Sequence, residues 1–142
     1  MATVGAGAVS VSLLAALPTA CSPSSTSPGG PIAAGTVADI QVGTLKLIEG
    51  ESVILGRDPG GLYAMTRVCT HQGALVGIVS VAGVPGLHCS AHGSEFSMDG
   101  VVTHGPASRA LEHLLVQVDA SNGNITILGD EVVSAETRVP TD

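Results

Sequence analysis

Apolar residues fall along this chain in short runs punctuated by Gly, Pro, Asn and Asp, and no run keeps a helical repeat for a useful length. Thr36 to Ile40 and Thr44 to Ile48 have strand character. Ser52 to Gly56 and Leu62 to Val68 flank Arg57-Asp58-Pro59-Gly60-Gly61, a pattern that predicts a hairpin with a turn-rich loop. Ile78 to Ala82 and Pro85 to His88 predict a second hairpin around Gly83, and Val101 to Thr103 a short strand after the Asp99-Gly100 turn. Leu114 to Val118 and Ile125 to Leu128 flank Asp119 to Asn124, where the Asn122-Gly123 pair marks a tight hairpin turn. Leu111 to Val116 is rich enough in Leu to suggest a helix, but the alternation after it favours a strand. The pattern is that of an all-β domain.

The two ends read differently. Val9 to Ala20 is an apolar run ending in small residues, the form of the later part of a secretory signal, and Cys21 comes directly after it. A Cys so placed resembles a bacterial lipoprotein site, so residues 1–21 are expected to be a signal peptide or lipoprotein signal with Cys21 as the lipid attachment point. Cleaved soluble export and an uncleaved anchor are the alternatives; Gly5, Gly7 and Pro18 weaken a spanning helix. Residues 22–35, rich in Ser, Pro and Gly, are expected to be a flexible linker. The folded domain is expected over residues 36–128, and an acidic, loose tail over 129–142.

Composition narrows the class. One domain of ordinary size fits the length of 142 residues. Tyr63 and Phe96 are the only aromatic residues apart from His, so the core must be built from Val, Ile, Leu and Ala. The formal net charge is -7, with no cationic stripe to neutralise phosphates, which argues against nucleic acid as a partner. An acidic surface suits a basic electron-transfer partner, and solubility equally well. Three cysteines, two of them in motifs, do not make a disulfide framework.

Those motifs are Cys69-Thr70-His71-Gln72-Gly73 and Cys89-Ser90-Ala91-His92-Gly93-Ser94. Each supplies one thiolate and one imidazole from a loop that leaves a strand. Two sulfur and two nitrogen ligands suit either a tetrahedral zinc ion or a two-iron two-sulfur cluster. Glycine after each histidine permits backbone to approach the centre and aim N–H groups at sulfur. His88, His104 and His113 lie outside the pattern; His104 stands just before Gly105-Pro106, where it could approach the centre, and the other two read as structural.

The pattern C-x-H-x-G followed by C-x-x-H-G-S resembles the Rieske iron–sulfur family, over about Val37 to Leu128. The resemblance implies a Rieske-type antiparallel β-sandwich or barrel with a cluster-binding loop subdomain at about residues 66–108. It implies one [2Fe–2S] cluster per chain, with Cys69 and Cys89 on one iron and His71 and His92 on the other. Ser94 matches a serine whose hydroxyl bonds a bridging sulfide, and Gly105-Pro106 matches a proline loop that covers the cluster. Gly73, Gly93 and Phe96 complete the implied cofactor-binding set. Neutral imidazoles in place of two thiolates raise the potential, to about −150 to +300 mV against roughly −400 mV for plant-type ferredoxins.

The chain departs from the quinol-oxidising members. Ala74 and Ala91 stand where those have a disulfide-forming Cys pair, and Phe96 stands where those have a Tyr that bonds a ligating sulfur. The resemblance implies an electron-transfer protein rather than a stand-alone enzyme. With the leader-like N-terminus, it would be exported and membrane-tethered, on the outer face of a bacterial membrane or in the periplasm. Its partners would be a cytochrome, a copper protein or a molybdenum oxidase subunit, with or without quinol. The alternatives are the ferredoxin component of a Rieske-type oxygenase and a structural zinc-binding module. A Rieske oxygenase would need a separate catalytic domain after Leu128.

Overall fold

The computed structural model of the chain describes residues 29–141. Ten strands carry the fold: β1 (Pro31–Thr36), β2 (Thr44–Leu47), β3 (Val53–Asp58), β4 (Gly61–Thr66), β5 (Gly77–Val81), β6 (Val84–His88), β7 (Glu95–Ser97), β8 (Val102–His104), β9 (His113–Val118) and β10 (Asn124–Val133). A single 3-10 turn, Val37–Asp39, comes after β1. A six-stranded sheet in the order β1-β10-β9-β4-β3-β2 forms the base, and a four-stranded sheet β5-β6-β7-β8 forms a second layer. Every strand pairing is antiparallel. The all-β expectation and the three hairpins hold, and Leu114–Val118 is strand, not helix.

β3 and β4 explain why the sequence around them reads as near-continuous hydrophobic runs. Side chains of a strand alternate between faces, and here both faces are buried. Val53, Leu55, Leu62 and Ala64 point into one core with Ile32, Val116, Ile125 and Ile127, built from the base sheet and its flanking Ile40 and Ile48. A core supplied by one sheet requires that sheet to curl over itself. Ile54, Tyr63 and Met65 point the other way, into a second core with Cys69, Val76, Leu87, Cys89, Phe96 and Leu111. Both motif cysteines thus belong to the packing between base and second layer. Fully burying each such aliphatic side chain is worth roughly 1.5 to 3 kcal/mol.

Two expectations at the ends are corrected. Pro31–Gly35, placed in the linker by composition, belongs to strand β1 (Pro31–Thr36) on the edge of the base, paired with β10. Pro31 is tolerated because it opens an edge strand, where its missing N–H costs no ladder bond. Residues 22–28 of the linker, with the proposed signal and Cys21, lie outside the described residues. The acidic segment from 129 onward is not loose. β10 runs to Val133 across a register shift after Leu128. Val139 then exchanges two backbone bonds with Leu62, each 2.9 Å, and Arg138 Nε pairs with Asp58 at 2.6 Å. Gly61 (φ +130) makes room for this strap: a Cβ there would sit 2.1 Å from the Val139 carbonyl oxygen.

Candidate metal centre

The two motifs occupy the β4–β5 and β6–β7 connections and close in the same way. Cys69 N–H donates to the Ala74 carbonyl (2.8 Å) and Gly73 N–H to the Cys69 carbonyl (2.9 Å). Cys89 N–H donates to the Ser94 carbonyl and Gly93 N–H to the Cys89 carbonyl, both at 2.8 Å. Gly73 (φ +78) and Gly93 (φ +80) supply the left-handed residue each loop needs. Their own N–H groups donate to the Cys69 and Cys89 carbonyls.

The chemistry-bearing side chains converge from these loops. The Cys69 and Cys89 thiols are buried and unpaired. The rings of His71 and His92 meet edge to face, centroids 4.9 Å apart at 85°. His71 is half-buried and His92 exposed. His71 Nδ1 is buried with no hydrogen-bond partner among the described residues. A buried ring nitrogen left unpaired is costly, and a metal is a partner that removes the cost. Two buried thiols in one core cluster and two imidazoles in contact make a donor set that fits a mixed thiolate–imidazole iron–sulfur cluster. Among the described residues, no three His, Cys, Asp or Glu side chains group as a single metal ion would require.

The segment after β8 braces both loops. Ala107 N–H donates to Ser94 Oγ (3.0 Å), which leaves the hydroxyl's own proton to be donated elsewhere. Thr70 Oγ donates to the Arg109 carbonyl (2.5 Å). Gly105–Pro106, a cis peptide, opens this segment. With Ala74 and Ala91 in place of cysteines, these two hydroxyl bonds form the cross-link between ligand loops that a disulfide cannot supply here. Sequence reasoning found Ser94 and Pro106 but not Thr70 or Arg109, whose only signal was a hydroxyl inside the first motif.

Phe96 is buried on β7 and pairs across to Leu87 and Val102. His88 pairs with Gly77 and Glu95 on β6, and His104 is exposed on β8 opposite Glu95. His113 is buried on β9, stacked on Tyr63 at 5.7 Å, with Nε2 2.9 Å from the Asp99 carbonyl. Tyr63 donates to the Met98 carbonyl (3.0 Å), so both rings hold the turn between β7 and β8 onto the base. Burial foremost, and then the Asp58 carboxylate, pushes the Tyr63 phenol well above its ordinary pKa and keeps it a donor.

The Rieske [2Fe-2S] domain model matches residues 31–119. The cytochrome b6-f complex iron–sulfur subunit of Chlorobaculum tepidum is 30% identical over 98 residues, 68% of this chain and 52% of that protein. The corresponding subunit of Synechococcus sp. (strain RCC307) is 32% identical over 101 residues, 67% of this chain and 54% of that one. The chain therefore spans about half the length of the curated relatives it matches. A structure of reduced oxygenase with oxidised ferredoxin in carbazole 1,9a-dioxygenase shares the fold, with TM-score 0.53 at 22% identity over 73% of this chain and 97% of that one. Motif, fold and sequence kinship agree: the chain belongs to the Rieske [2Fe-2S] domain family, electron carriers whose cofactor is a [2Fe–2S] cluster.

Proposed function

We propose that Cys69 and Cys89 hold one iron and His71 and His92 the other, and that the domain relays single electrons between two partner proteins. The observation that carries this reading is the pair of identically closed loops, each with one buried free thiol, whose histidine rings meet, one of them with an unpartnered buried nitrogen. The cluster, when bound, takes up and returns one electron. The chain's own residues do the rest. Core packing shields the Cys69 and Cys89 side from water, while exposed His92 marks the edge through which a partner makes electronic contact. Ser94 and Thr70 lock the loops to the Gly105–Arg109 segment, limiting the movement that a change of charge would otherwise drive.

The relatives are subunits of cytochrome b6-f complexes, which supports a cytochrome as electron acceptor and quinol as ultimate donor. The leader-like residues 1–21 and Cys21 support export and a lipid tether, the folded domain beginning at Pro31. Among the described residues no helix is long and apolar enough to cross a membrane. The second reading is a ferredoxin that serves an oxygenase; the alanines at 74 and 91, which leave the loops without a disulfide, favour it. The test is pulsed electron paramagnetic resonance on the reduced holoprotein, which is expected to show hyperfine coupling to two imidazole nitrogens. A colourless protein, silent after reduction, overturns the proposal. A potential too low for oxidation by a c-type cytochrome selects the ferredoxin reading.

A further inference from the structure

The two ligand loops close alike at their tips but not at their necks. The second is the tip of the β6–β7 hairpin, and the ladder runs on directly beneath it through His88–Glu95 and Leu87–Phe96. The first leaves β4 in the base and enters β5 in the second layer, so its two ends belong to different sheets. Beneath its tip lies a single isolated bridge, Val68–Leu75. No continuing ladder holds its ends together.

Arg67 stands at that neck. Its N–H donates to the Ser52 carbonyl (2.8 Å), just ahead of β3, which anchors it to the base. Its own carbonyl accepts from Val76 N–H (2.8 Å), and its Nε donates to the Val76 carbonyl (2.7 Å). One residue thus grips both backbone polar groups of Val76, the last residue before β5. Val76 is fully buried, in the same core cluster as Cys69 and Cys89. Among the described residues no carboxylate lies within ion-pair distance of Arg67, so the Val76 carbonyl is the partner that its half-buried side chain serves.

We propose that Arg67 is the positioning residue of the first ligand loop. By clasping Val76 through Nε it fixes the place of Cys69 and His71, as the hairpin ladder does for Cys89 and His92. The proposal rests on the ligand set given above. It makes Arg67 matter as a donor at one atom, not as a charge, and three substitutions separate the two. In Gln the donor Nε2 follows Cδ, the place that Nε holds in Arg, and there is no charge. In Lys that place is taken by Cε, so the charge stays while the donor moves one atom further out. In Met it is a methyl, and both are gone.

Hydrogen exchange of the holoprotein, followed by mass spectrometry, reads each loop by itself. Arg67→Met and Arg67→Lys each lose a bond from a charged donor and are expected to speed exchange over residues 68–76 about tenfold. Residues 88–95 should stay within about twofold of wild type. Arg67→Gln should show about half of the effect or less on a logarithmic scale, a charge-assisted bond being roughly twice as strong as a neutral one. Electron paramagnetic resonance of the reduced holoprotein gives the signature of the centre itself: broadened lines in Arg67→Met and Arg67→Lys, wild-type lines in Arg67→Gln. Arg57→Met removes bonds of the same kind, to the Ile40 and Thr141 carbonyls, from the base. It should lower the denaturation midpoint and leave both the spectrum and the exchange of residues 68–76 as in wild type. Arg67→Lys behaving as wild type, or Arg67→Gln as impaired as Arg67→Met or unable to hold iron, overturns the proposal, because charge and not the donor would then matter. Equal acceleration in both loops, or wild-type spectra in every variant, overturns it too. A wild-type protein that is colourless and silent after reduction overturns the ligand set and the proposal with it.

Discussion

The base sheet and the second layer are built on different terms. The base has strands of four to ten residues, a core of its own, and Val139 bonded to its strand β4. The second layer has two strands of only three residues, and its apolar side chains are buried largely by borrowing Ile54, Tyr63 and Met65 from the base. It also leaves Val79, Val81 and Val84 exposed. The difference teaches where stability and function are kept. The base closes a hydrophobic core with no motif residue in it, while the second layer packs both motif cysteines against the base and is braced by hydroxyl bonds from the ligand loops.

The largest test of that division is removal of a ligand. Cys69→Ala, His71→Ala, Cys89→Ala and His92→Ala are each expected to abolish visible absorption and nearly all bound iron. Backbone circular dichroism should retain the base sheet in all four. Global unfolding of every variant would show that the base depends on the metal and break the comparison. Full iron content in His92→Ala would remove that residue from the ligand set.

The converse change strikes the base alone. Gly61→Ala puts a Cβ against the Val139 carbonyl and an L-residue at φ +130, so the carboxy-terminal strap must lift. Backbone strain of about 1 to 3 kcal/mol and two bridging bonds worth roughly 1 kcal/mol each predict a loss of about 3 to 5 kcal/mol. Denaturant titration should show it as a lower midpoint. The potential and spectrum of the folded fraction should stay unchanged; a shifted potential would mean that strap and centre are coupled.

The same two regions explain what was legible in the sequence. Cys69, His71, Cys89 and His92 were legible because ligand spacing is local, and the hairpins because Asn122-Gly123 and Gly83 write their turns into neighbouring residues. Features decided by tertiary contact were not legible. Pro31–Gly35 has linker composition and becomes part of a strand only because β10 offers an edge. Arg138 and Val139 sit in an acidic segment and are ordered by Asp58 and Leu62, far back in the chain. β7 is three residues long between a ligand loop and a turn, too short for alternation to show. The need of Gly73 and Gly93 for a left-handed backbone shows only in the folded loops.

Within the second layer, a smaller effect separates tuning from holding. Ser94→Ala is expected to lower the reduction potential and Phe96→Tyr to raise it, since a hydroxyl aimed at sulfur stabilises the more negative reduced state. A difference of roughly 1 to 2 kcal/mol between redox states corresponds to about 40 to 90 mV for one electron. Ser94→Ala also orphans the Ala107 N–H, at about 1 to 3 kcal/mol, so its melting temperature should fall as well. Phe96→Tyr has no such second cost if the new hydroxyl reaches sulfur. An unchanged potential in Phe96→Tyr, with the Ser94→Ala shift present, would show that the ring packs away from the thiolates.

The smallest effect is confined to acid pH and to the base. Asp119, in the β9–β10 turn, accepts from Ser121 Oγ (2.6 Å), Ser121 N–H (2.8 Å) and Asn122 Nδ2 (3.1 Å). These bonds, the Ser121 hydroxyl foremost, hold its carboxyl below the ordinary range. Its unfolded counterpart ionises near about 3.9, so on acidification the unfolded chain takes up the proton first. The contribution to stability is therefore present above about pH 3.9 and is lost as pH falls through the lowered folded value. Asp119→Asn should remove this dependence. Its melting temperature should lie slightly below wild type near neutrality, and the two curves should converge in strong acid. Val68 to Ser94 contains no carboxylate, so the ligand loops add no such slope. Parallel curves for Asp119→Asn and wild type from neutral pH to about pH 2 would show that the turn's carboxylate contributes nothing through its ionisation.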